Sequence, residues 1–422
     1  MGVMISLIRS TLLLAMAASL GASASDATGI GPNDWAGWRG PTHNGIAAKG
    51  QNPPIAWSET KNVRWKVSIP GRGHASPTVV GDFIFLPTAD EQRKTQSVLC
   101  LDRQTGKLIW SKEINQGGFD TDGHQRKSHA SPSIASDGER LFINFLNHGT
   151  VTTTALDFKG TQLWQQEISK FVTHQGYGAS PFIYNDLVIV NSDNKAGGAI
   201  AAMNRESGKM IWRRDRPKKP NYVSPVVFNV LGKDQLFLSG CNLVTSLEPN
   251  TGETLWEVPG STTECVVTMV TDGERVFTSG GYPKNHTVAI TADGSGQVAW
   301  QNSTRVYVPS MIIYQEYAFA VADAGFAICW ESASGKEIWK ERLGGDFFSS
   351  PVLANGHIYA TNVRGKTYVY KADPNDFKII SSNQLGNEAY ASPVICGSRI
   401  YLRSAHIDET REEYLYCIHN QL

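Results

Sequence analysis

A short phrase recurs along this chain at intervals of about 45 residues. Six segments place a Gly four residues before a Trp: Gly106/Trp110, Gly160/Trp164, Gly208/Trp212, Gly252/Trp256, Gly296/Trp300 and Gly335/Trp339. A repeat of this period is typical of architectures in which each unit stacks against its neighbours. Because one such unit cannot bury both of its faces alone, the repeat constrains the fold more than any other feature.

A second phrase precedes each Gly and Trp pair. Ser followed by Pro opens an alternating apolar run at Ser76, Ser131, Ser180, Ser224, Ser350 and Ser392, and Glu264-Cys265 and Pro309-Ser310 replace it in two more repeats. Proline is tolerated at the first residue of a strand, and the Asp-Gly, Thr-Gly and Ser-Gly pairs between the runs mark tight turns. Each unit is therefore predicted to consist of four short antiparallel strands.

The phrases add up to eight units, and the eighth lacks a fourth strand. The segment 62–71, which contains Trp65, is in contrast a single strand with no preceding three. Sheets arranged radially bury their faces, and a last sheet completed from the other end of the chain leaves no open edge. The predicted fold is all-β: an eight-bladed β-propeller of four-stranded antiparallel blades over 62–422, with the last blade closed by the N-terminal strand and a Trp wedged between neighbouring blades.

The first 61 residues lie outside the repeat. Residues 1–24 combine Arg9, an apolar run and Ala22-Ser23-Ala24, which is the pattern of a cleaved signal peptide. The apolar run is shorter than the roughly 20 residues that a membrane-spanning helix needs. Residues 25–61 are predicted to be a leader segment that packs on the propeller, with a ligand-facing role as the alternative. We therefore expect an exported protein, either periplasmic or extracellular.

The charge balance limits the classes of partner, and the positions of the cysteines predict their redox state. The chain carries 39 basic and 39 acidic side chains, so no excess charge favours nucleic acid or an anionic membrane. Cys100, Cys329 and Cys417 occupy one position in three different repeats and cannot meet, which predicts buried thiols. The pattern leaves open whether the remaining cysteines, Cys241, Cys265 and Cys396, form disulfides.

The candidate site lies in the segments just before each Ser-Pro phrase, because these loops crowd around the axis of a propeller. Most repeats carry an aromatic or imidazole side chain two residues before the Ser position, and several carry a charge two residues earlier. The candidate ligand-binding residues are His74, His129, Tyr222, Tyr307, Phe348, Tyr390, Arg72 and Glu264. They predict a concave mouth that stacks a planar or sugar-like ligand. The alternative is that the rings pack together and plug the central tunnel.

Glu264 stands where six repeats have Ser. A single carboxylate there would suit a base or a cation ligand, but we expect a solvated or Arg-paired group, with Arg72 or Arg305 as its partner. Three histidines, His74, His129 and His174, lack the close spacing of a local metal motif. We therefore assign no metal site and no catalytic residue.

The phrases resemble the repeat of the pyrroloquinoline quinone type eight-bladed propellers, in which a strand ending in Leu-Asp leads through Thr-Gly-Lys to a docking Trp. The segment LDRQTGKLIW at 101–110 carries this likeness, which extends over 62–420. The quinoprotein dehydrogenases of this family are longer, hold the quinone against a disulfide between adjacent cysteines, and bind calcium through Glu, Asn and Asp. This sequence has no Cys-Cys pair and no Cys-x-x-Cys-His haem site. In size it is similar to the non-catalytic barrel-assembly lipoproteins, although it lacks their lipid-bearing cysteine.

The resemblance implies an exported, non-catalytic propeller that acts as a binding or protein-interaction scaffold in the periplasm or cell envelope. We expect a monomer whose partner is an unidentified protein or a small ligand, with no nucleic acid, no membrane span and no cofactor. The alternative is an enzyme, a quinone-dependent dehydrogenase of alcohols or sugars. In that case pyrroloquinoline quinone and calcium would bind at the axial mouth.

Overall fold

The structure, a computed structural model, describes residues 29–420 of the chain. Thirty-two strands in this range form eight four-stranded antiparallel sheets. The predicted all-β, eight-bladed propeller is therefore confirmed. Within the described range no helix could cross a membrane. The predicted signal peptide, 1–24, lies outside the described residues.

The first four blades follow one another along the chain. Blade 1 contains β2 (Thr78–Val80), β3 (Phe83–Asp90), β4 (Thr95–Asp102) and β5 (Leu108–Gln116). Blade 2 contains β6 (Ala135–Ser136), β7 (Arg140–Asn147), β8 (Thr150–Asp157) and β9 (Gln162–Lys170). Blade 3 contains β10 (Phe182–Tyr184), β11 (Leu187–Asn191), β12 (Ala199–Asn204) and β13 (Met210–Asp215). Blade 4 contains β14 (Val226–Val230), β15 (Lys233–Gly240), β16 (Leu243–Leu247) and β17 (Thr254–Pro259).

The other four blades complete the ring. Blade 5 contains β18 (Val270–Thr271), β19 (Arg275–Gly280), β20 (His286–Thr291) and β21 (Val298–Asn302). Blade 6 contains β22 (Ile312–Tyr314), β23 (Tyr317–Val321), β24 (Phe326–Glu331) and β25 (Glu337–Arg342). Blade 7 contains β26 (Val352–Ala354), β27 (His357–Thr361), β28 (Lys366–Lys371) and β29 (Ile379–Gln384). Blade 8 contains β30 (Val394–Cys396), β31 (Arg399–Ile407), β32 (Arg411–Ile418) and, as its outer strand, β1 (Val63–Ile69).

The last blade is closed by the N-terminal strand, as predicted. β1 runs antiparallel to β32, with Trp65 opposite Cys417 and Ile69 opposite Glu413. The first and last parts of the propeller thus share one hydrogen-bonded sheet. Without β1, β32 would be the unpaired outer edge strand of blade 8.

Tryptophans of the outer strands lie between neighbouring blades. The ring of Trp164 in blade 2 covers Gly208 in blade 3, and its Nε1 donates a hydrogen bond to the carbonyl oxygen of Arg205 at 3.1 Å. The same bond to the next blade is made by Trp110, Trp212, Trp300 and Trp339. Gly208 has φ +70°, a conformation that favours glycine, and a Cβ there would lie 2.6 Å from the Trp164 ring. The repeated Gly thus provides both the turn and the room for the tryptophan.

Cysteines stand opposite several of these tryptophans. Cys100 pairs in register with Trp110, and Cys329 pairs with Trp339. All six cysteines, which lie within the described range, are buried and free. Burial raises the pKa of the Cys100 thiol to about 12. The buried thiols predicted from the repeat are therefore present, and no disulfide joins the three cysteines that the sequence left open.

Residues 29–61, the described part of the leader, cross one face of the disc, which we call the leader face. Trp35 forms a β-bridge with Val79 in blade 1, and Ile46 forms one with Leu353 in blade 7. Trp38 reaches the axis, where its Nε1 donates a hydrogen bond to Thr268 Oγ1 at 2.7 Å. The leader therefore covers the inner strands and places an indole ring at the end of the central tunnel.

The leader is fastened by a buried guanidinium. Arg39 donates hydrogen bonds to the carbonyl oxygens of Met311 at 2.6 Å and Pro351 at 2.9 Å, and another to Asn44 within the leader. Burial without a carboxylate partner lowers the pKa of Arg39 to about 9. These bonds join the leader to blades 6 and 7.

Candidate functional site

The loops that precede the innermost strands meet around the axis on the face opposite the leader. They surround a cavity of about 670 Å³, with Trp38 of the leader in its lining. Six predicted site residues line it: His74, Tyr222, Glu264, Tyr307, Phe348 and Tyr390. The propeller topology brings these residues together although they come from six different repeats. We call this space the axial cavity.

Two predicted residues, Arg72 and His129, lie outside the lining of the axial cavity. The connection between β5 and β6 is longer than those between other blades, and Phe119 within it stacks on His129 with ring centroids 4.0 Å apart. The backbone of Arg72 forms a bridge with Ala89, and its side chain pairs with Glu91 at 3.6 Å. The contact of His129 cannot be predicted from the repeat, because Phe119 lies in the long connection outside it. The partners of Arg72 lie within blade 1, in β3 and in the turn that follows it.

One wall of the axial cavity is aromatic. The Tyr390 ring lies 4.2 Å from the His74 ring and 5.9 Å from the Phe348 ring, centroid to centroid. The guanidinium of Arg126 lies over Phe348 at 5.4 Å. The rings pack against one another along the wall, and the cavity remains beside them. The predicted plug therefore does not fill the mouth.

His74 is held neutral within this wall. Burial, followed by the positive charges of Arg72, Arg403 and Arg411, keeps the pKa of His74 well below its usual value. Its buried Nε2 has no hydrogen-bond partner among residues 29–420. A neutral imidazole without a partner can donate or accept a hydrogen bond. His74 thus offers the cavity one unused polar atom.

The opposite wall contains Glu264, whose side chain is 3% exposed. Its carboxylate accepts a hydrogen bond from the Tyr307 hydroxyl at 3.1 Å and lies 3.1 Å from Nε2 of His174. The expectation that Arg72 or Arg305 would pair with Glu264 is wrong. Arg305 instead donates to the carbonyl oxygen of Gly281 at 2.9 Å and lies over the Tyr307 ring.

Two tyrosines next to Glu264 stay protonated. Burial and then the Glu264 charge raise the pKa of Tyr222 and of Tyr307 above the ordinary tyrosine value. Tyr307 therefore acts as a hydrogen-bond donor to the carboxylate. The cluster of His174, Glu264 and Tyr307 combines donors and an acceptor within one wall, and we call it the acidic cluster.

Repeat-based reasoning missed Arg126 and Asp323. Arg126 lies in the long connection before β6 and has no counterpart in the other repeats. It directly precedes Lys127, which is the charged residue two positions before His129. Asp323 lies between β23 and β24 rather than before a Ser-Pro phrase, and accepts a hydrogen bond from the Tyr307 backbone at 2.6 Å. Burial raises the pKa of Asp323. The run Arg126-Lys127 in an otherwise unexplained insertion was the one available signal.

The axial cavity carries cations that have no acidic partner. Among the described residues, Arg126, Lys127 and Arg305 form no ion pair with a carboxylate. Lys127 donates to the carbonyl oxygens of Asp120, at 2.8 Å, and Asp122. The carboxylates in the lining already accept hydrogen bonds from protein donors. The mouth therefore suits an anionic ligand.

A larger cavity of about 1170 Å³ lies at the leader face, between the leader and blades 2 to 4. Its arginines are already paired: Arg140 with Asp137 at 2.9 Å, and Arg205 with Asp186 at 3.3 Å. It contains one ring contact, between His43 and Phe182 with centroids 4.5 Å apart, but among the described residues its lining has no arginine without an acidic partner. The axial cavity is therefore the stronger candidate site.

The residues of the axial cavity do not fit the quinone and calcium arrangement of the dehydrogenases. Within residues 29–420 no three His, Cys, Asp or Glu side chains converge on a metal position. Glu264, the most buried carboxylate of the lining, already accepts a hydrogen bond from Tyr307 and contacts Nε2 of His174. The cysteines are single free thiols, so no disulfide between adjacent cysteines can support a quinone ring.

The fold and the site define a class: an eight-bladed propeller with a ligand-sized cavity on its axis. A profile of the family described as outer membrane protein assembly factor BamB matches residues 35–113, 94–341 and 284–376. The chain belongs to this family. The match extends into the leader and covers parts of every blade from the first to the seventh.

Individual relatives are distant. A polyvinylalcohol dehydrogenase from a Pseudomonas species is 24% identical over 239 residues, which are 52% of this chain and 35% of that protein. The match thus spans about a third of the relative's length. This relative is named as a dehydrogenase, whereas the family profile is described by an assembly factor.

Solved structures share the fold at low identity. BamB from Moraxella catarrhalis superimposes with a TM-score of 0.58 and 13% identity, over 84% of this chain and 96% of that chain. The quinohemoprotein alcohol dehydrogenase from Comamonas testosteroni gives 0.66 and 12%, over 92% and 81%. A europium-containing methanol dehydrogenase gives 0.65 and 10%, over 93% and 99%. At these identities the likeness shows the fold alone.

Proposed function

We propose that this protein is an exported, non-catalytic binding propeller that holds a small anionic ligand in its axial cavity. The observation that carries the proposal is the set of unpaired cations beside stacked aromatic rings. The cavity volume, about 670 Å³, lies within the range of roughly 300 to 1,000 Å³ that is usual for small-molecule sites. Export is supported by the signal-like residues 1–24.

The proposal is tested by calorimetry with small ring carboxylates at low and high salt. Arg126→Gln should weaken binding about tenfold, since a charge-assisted hydrogen bond contributes roughly 1.5 to 3 kcal/mol. Phe348→Ala should weaken it through loss of the stacking surface. Lys107→Gln, which removes an exposed cation from a turn at the leader face, is the matched control. If no ring carboxylate binds, or if the control weakens binding as much as Arg126→Gln does, the proposal is wrong.

The match to a dehydrogenase favours a second candidate, a quinone-dependent oxidation of alcohols or sugars. Its test is addition of pyrroloquinoline quinone and calcium followed by a dye-linked oxidation assay. Quinone binding that disappears in a Tyr222→Ala, Tyr390→Ala double variant, together with dye reduction, would make this candidate the function. Absence of both would leave the binding propeller.

A further inference from the structure

We infer that the ligand of the axial cavity is a hydroxylated ring that carries a carboxylate, as an acidic sugar does. Its hydroxyl groups would bind at the acidic cluster and its carboxylate at Arg126. This inference rests on the proposed function and specifies its ligand. It follows from the different chemistry of the two walls.

The first wall recognises charge and a ring face. Arg126 is exposed at the rim and lies over Phe348. Its guanidinium has no acidic partner among the described residues, so it can bind a ligand carboxylate through two parallel hydrogen bonds. Phe348 and Tyr390 stack on each other with ring centroids 5.9 Å apart, and both line the cavity. An anionic ring placed on this wall keeps its charge at the solvent side.

The second wall repels a carboxylate and attracts hydroxyl groups. Glu264 is buried and negatively charged, so an anion directed towards it would be unfavourable. Its Oε2 accepts a hydrogen bond from the Tyr307 hydroxyl, and its Oε1 lies 3.1 Å from Nε2 of His174. A carboxylate offers about four acceptor sites, so capacity remains for ligand donors. A hydroxyl group, which both donates and accepts, matches this mixed set better than an amine or a second acid does.

The unpaired Nε2 of His74 points to the same class of ligand. His74 lines the cavity, and this nitrogen is buried and has no partner among the described residues. Leaving such an atom without a hydrogen bond is unfavourable, and a ligand hydroxyl would satisfy it. A site built from buried hydrogen-bonding groups discriminates strongly against an analogue that lacks the hydroxyls. The cavity should therefore bind a plain ring acid more weakly than a hydroxylated one.

Three probes separate the parts of the inference: D-glucuronate, D-glucose and cyclohexanecarboxylate. The last has the ring and the charge without the hydroxyl groups. With the full chain, calorimetry or ligand-observed NMR should show glucuronate binding at least about tenfold more tightly than either analogue, a factor that corresponds to about 1.4 kcal/mol. Glu264→Gln and Tyr307→Phe should each weaken glucuronate binding about tenfold and leave cyclohexanecarboxylate binding unchanged. Arg126→Gln should weaken both acids equally.

Each of the other outcomes contradicts one part of the inference. If cyclohexanecarboxylate binds as tightly as glucuronate, the hydroxyl recognition is wrong while the proposed anion-binding function stands. If glucose binds as tightly as glucuronate, the role of Arg126 is wrong. If none of the three binds, the inference fails and the proposed function is judged on the wider carboxylate panel. Melting temperatures of the variants establish that they are folded, and Tyr307→Phe serves where Glu264→Gln does not fold.

Discussion

Alanine substitution of the turn glycines tests how the blades are locked together. Three glycines have nearly the same backbone conformation, with φ +71° at Gly335, +83° at Gly160 and +71° at Gly356. Their surroundings differ in a graded way. A Cβ would lie 2.4 Å from the Trp300 ring at Gly335 and 3.1 Å from the Trp110 ring at Gly160, whereas it would meet nothing within 4 Å at Gly356.

The expected losses of stability follow from these distances. The left-handed backbone costs a non-glycine residue about 1 to 2 kcal/mol, and this cost is common to all three positions. At Gly160 the Trp110 ring needs to move by only a few tenths of an ångström. At Gly335 the Trp300 ring must be displaced, and its hydrogen bond to the Ser332 carbonyl, 2.7 Å long, is put under strain. Overpacking of this kind costs roughly 1 to 3 kcal/mol more, so Gly335→Ala should lose about 2 to 5 kcal/mol in total.

Guanidinium denaturation followed by tryptophan fluorescence measures the three variants. We expect Gly356→Ala to lose the least free energy of unfolding, Gly160→Ala to lose more and Gly335→Ala to lose the most. Gly356→Ala is the control for the backbone cost. If Gly335→Ala and Gly356→Ala lose the same free energy of unfolding within about 0.5 kcal/mol, the range expected for inconsequential surface changes, the tryptophan contacts do not lock the blades.

Three further predictions follow from buried groups. Arg39→Met should lower the free energy of unfolding by about 2 to 4 kcal/mol, because the carbonyl oxygens of Met311 and Pro351 lose a charged donor. Limited proteolysis of this variant should cut within the leader, and an unchanged cleavage pattern would contradict the prediction. Burial lowers the pKa of His43 from 6.5 to about 4. Below pH 6.5 the unfolded chain therefore binds a proton that the folded chain does not. The free energy of unfolding should fall by up to about 1.4 kcal/mol per pH unit between pH 6.5 and pH 4. His43→Gln should have a shallower dependence of the denaturation midpoint on pH, and equal slopes would refute the assignment. All six thiols are buried and free, so Ellman's reagent should label none of them in the native protein and six in guanidinium; fewer than six would reveal a disulfide.

Much of the candidate site could be predicted from the repeat, since position within a repeat fixes position around the axis. Tyr307 and Tyr390 line the cavity for this reason. His129 shares their place in the repeat but lies outside the lining, because Phe119 from the long connection stacks on it. Arg126 enters the lining from that same connection. Residues in non-repeated loops therefore escape an argument that depends on periodicity.

The pairing of Glu264 shows a second limit. The sequence indicates an unusual carboxylate near the axis. It offers Arg72 and Arg305 as partners, because these arginines precede the Ser-Pro position of other repeats. In the folded chain Glu264 accepts a hydrogen bond from Tyr307 and contacts His174, and these residues come from two other repeats. Which donor reaches a buried carboxylate depends on side-chain directions across the ring. Those directions are set by contacts between blades.

The sequence by itself determined the number of blades, the four-stranded unit, the closure by 62–71 and the role of the Gly and Trp pair. These are local or periodic properties, and the same sequence pattern recurs in nearly every repeat. Only the tertiary structure decided the shape and charge of the axial cavity. The aromatic side chains of the cavity, its unpaired cations and its acidic cluster come from loops distant in the chain, and closure of the propeller brings them into the lining of one cavity. Recognition by this protein therefore depends on contacts that no single repeat contains.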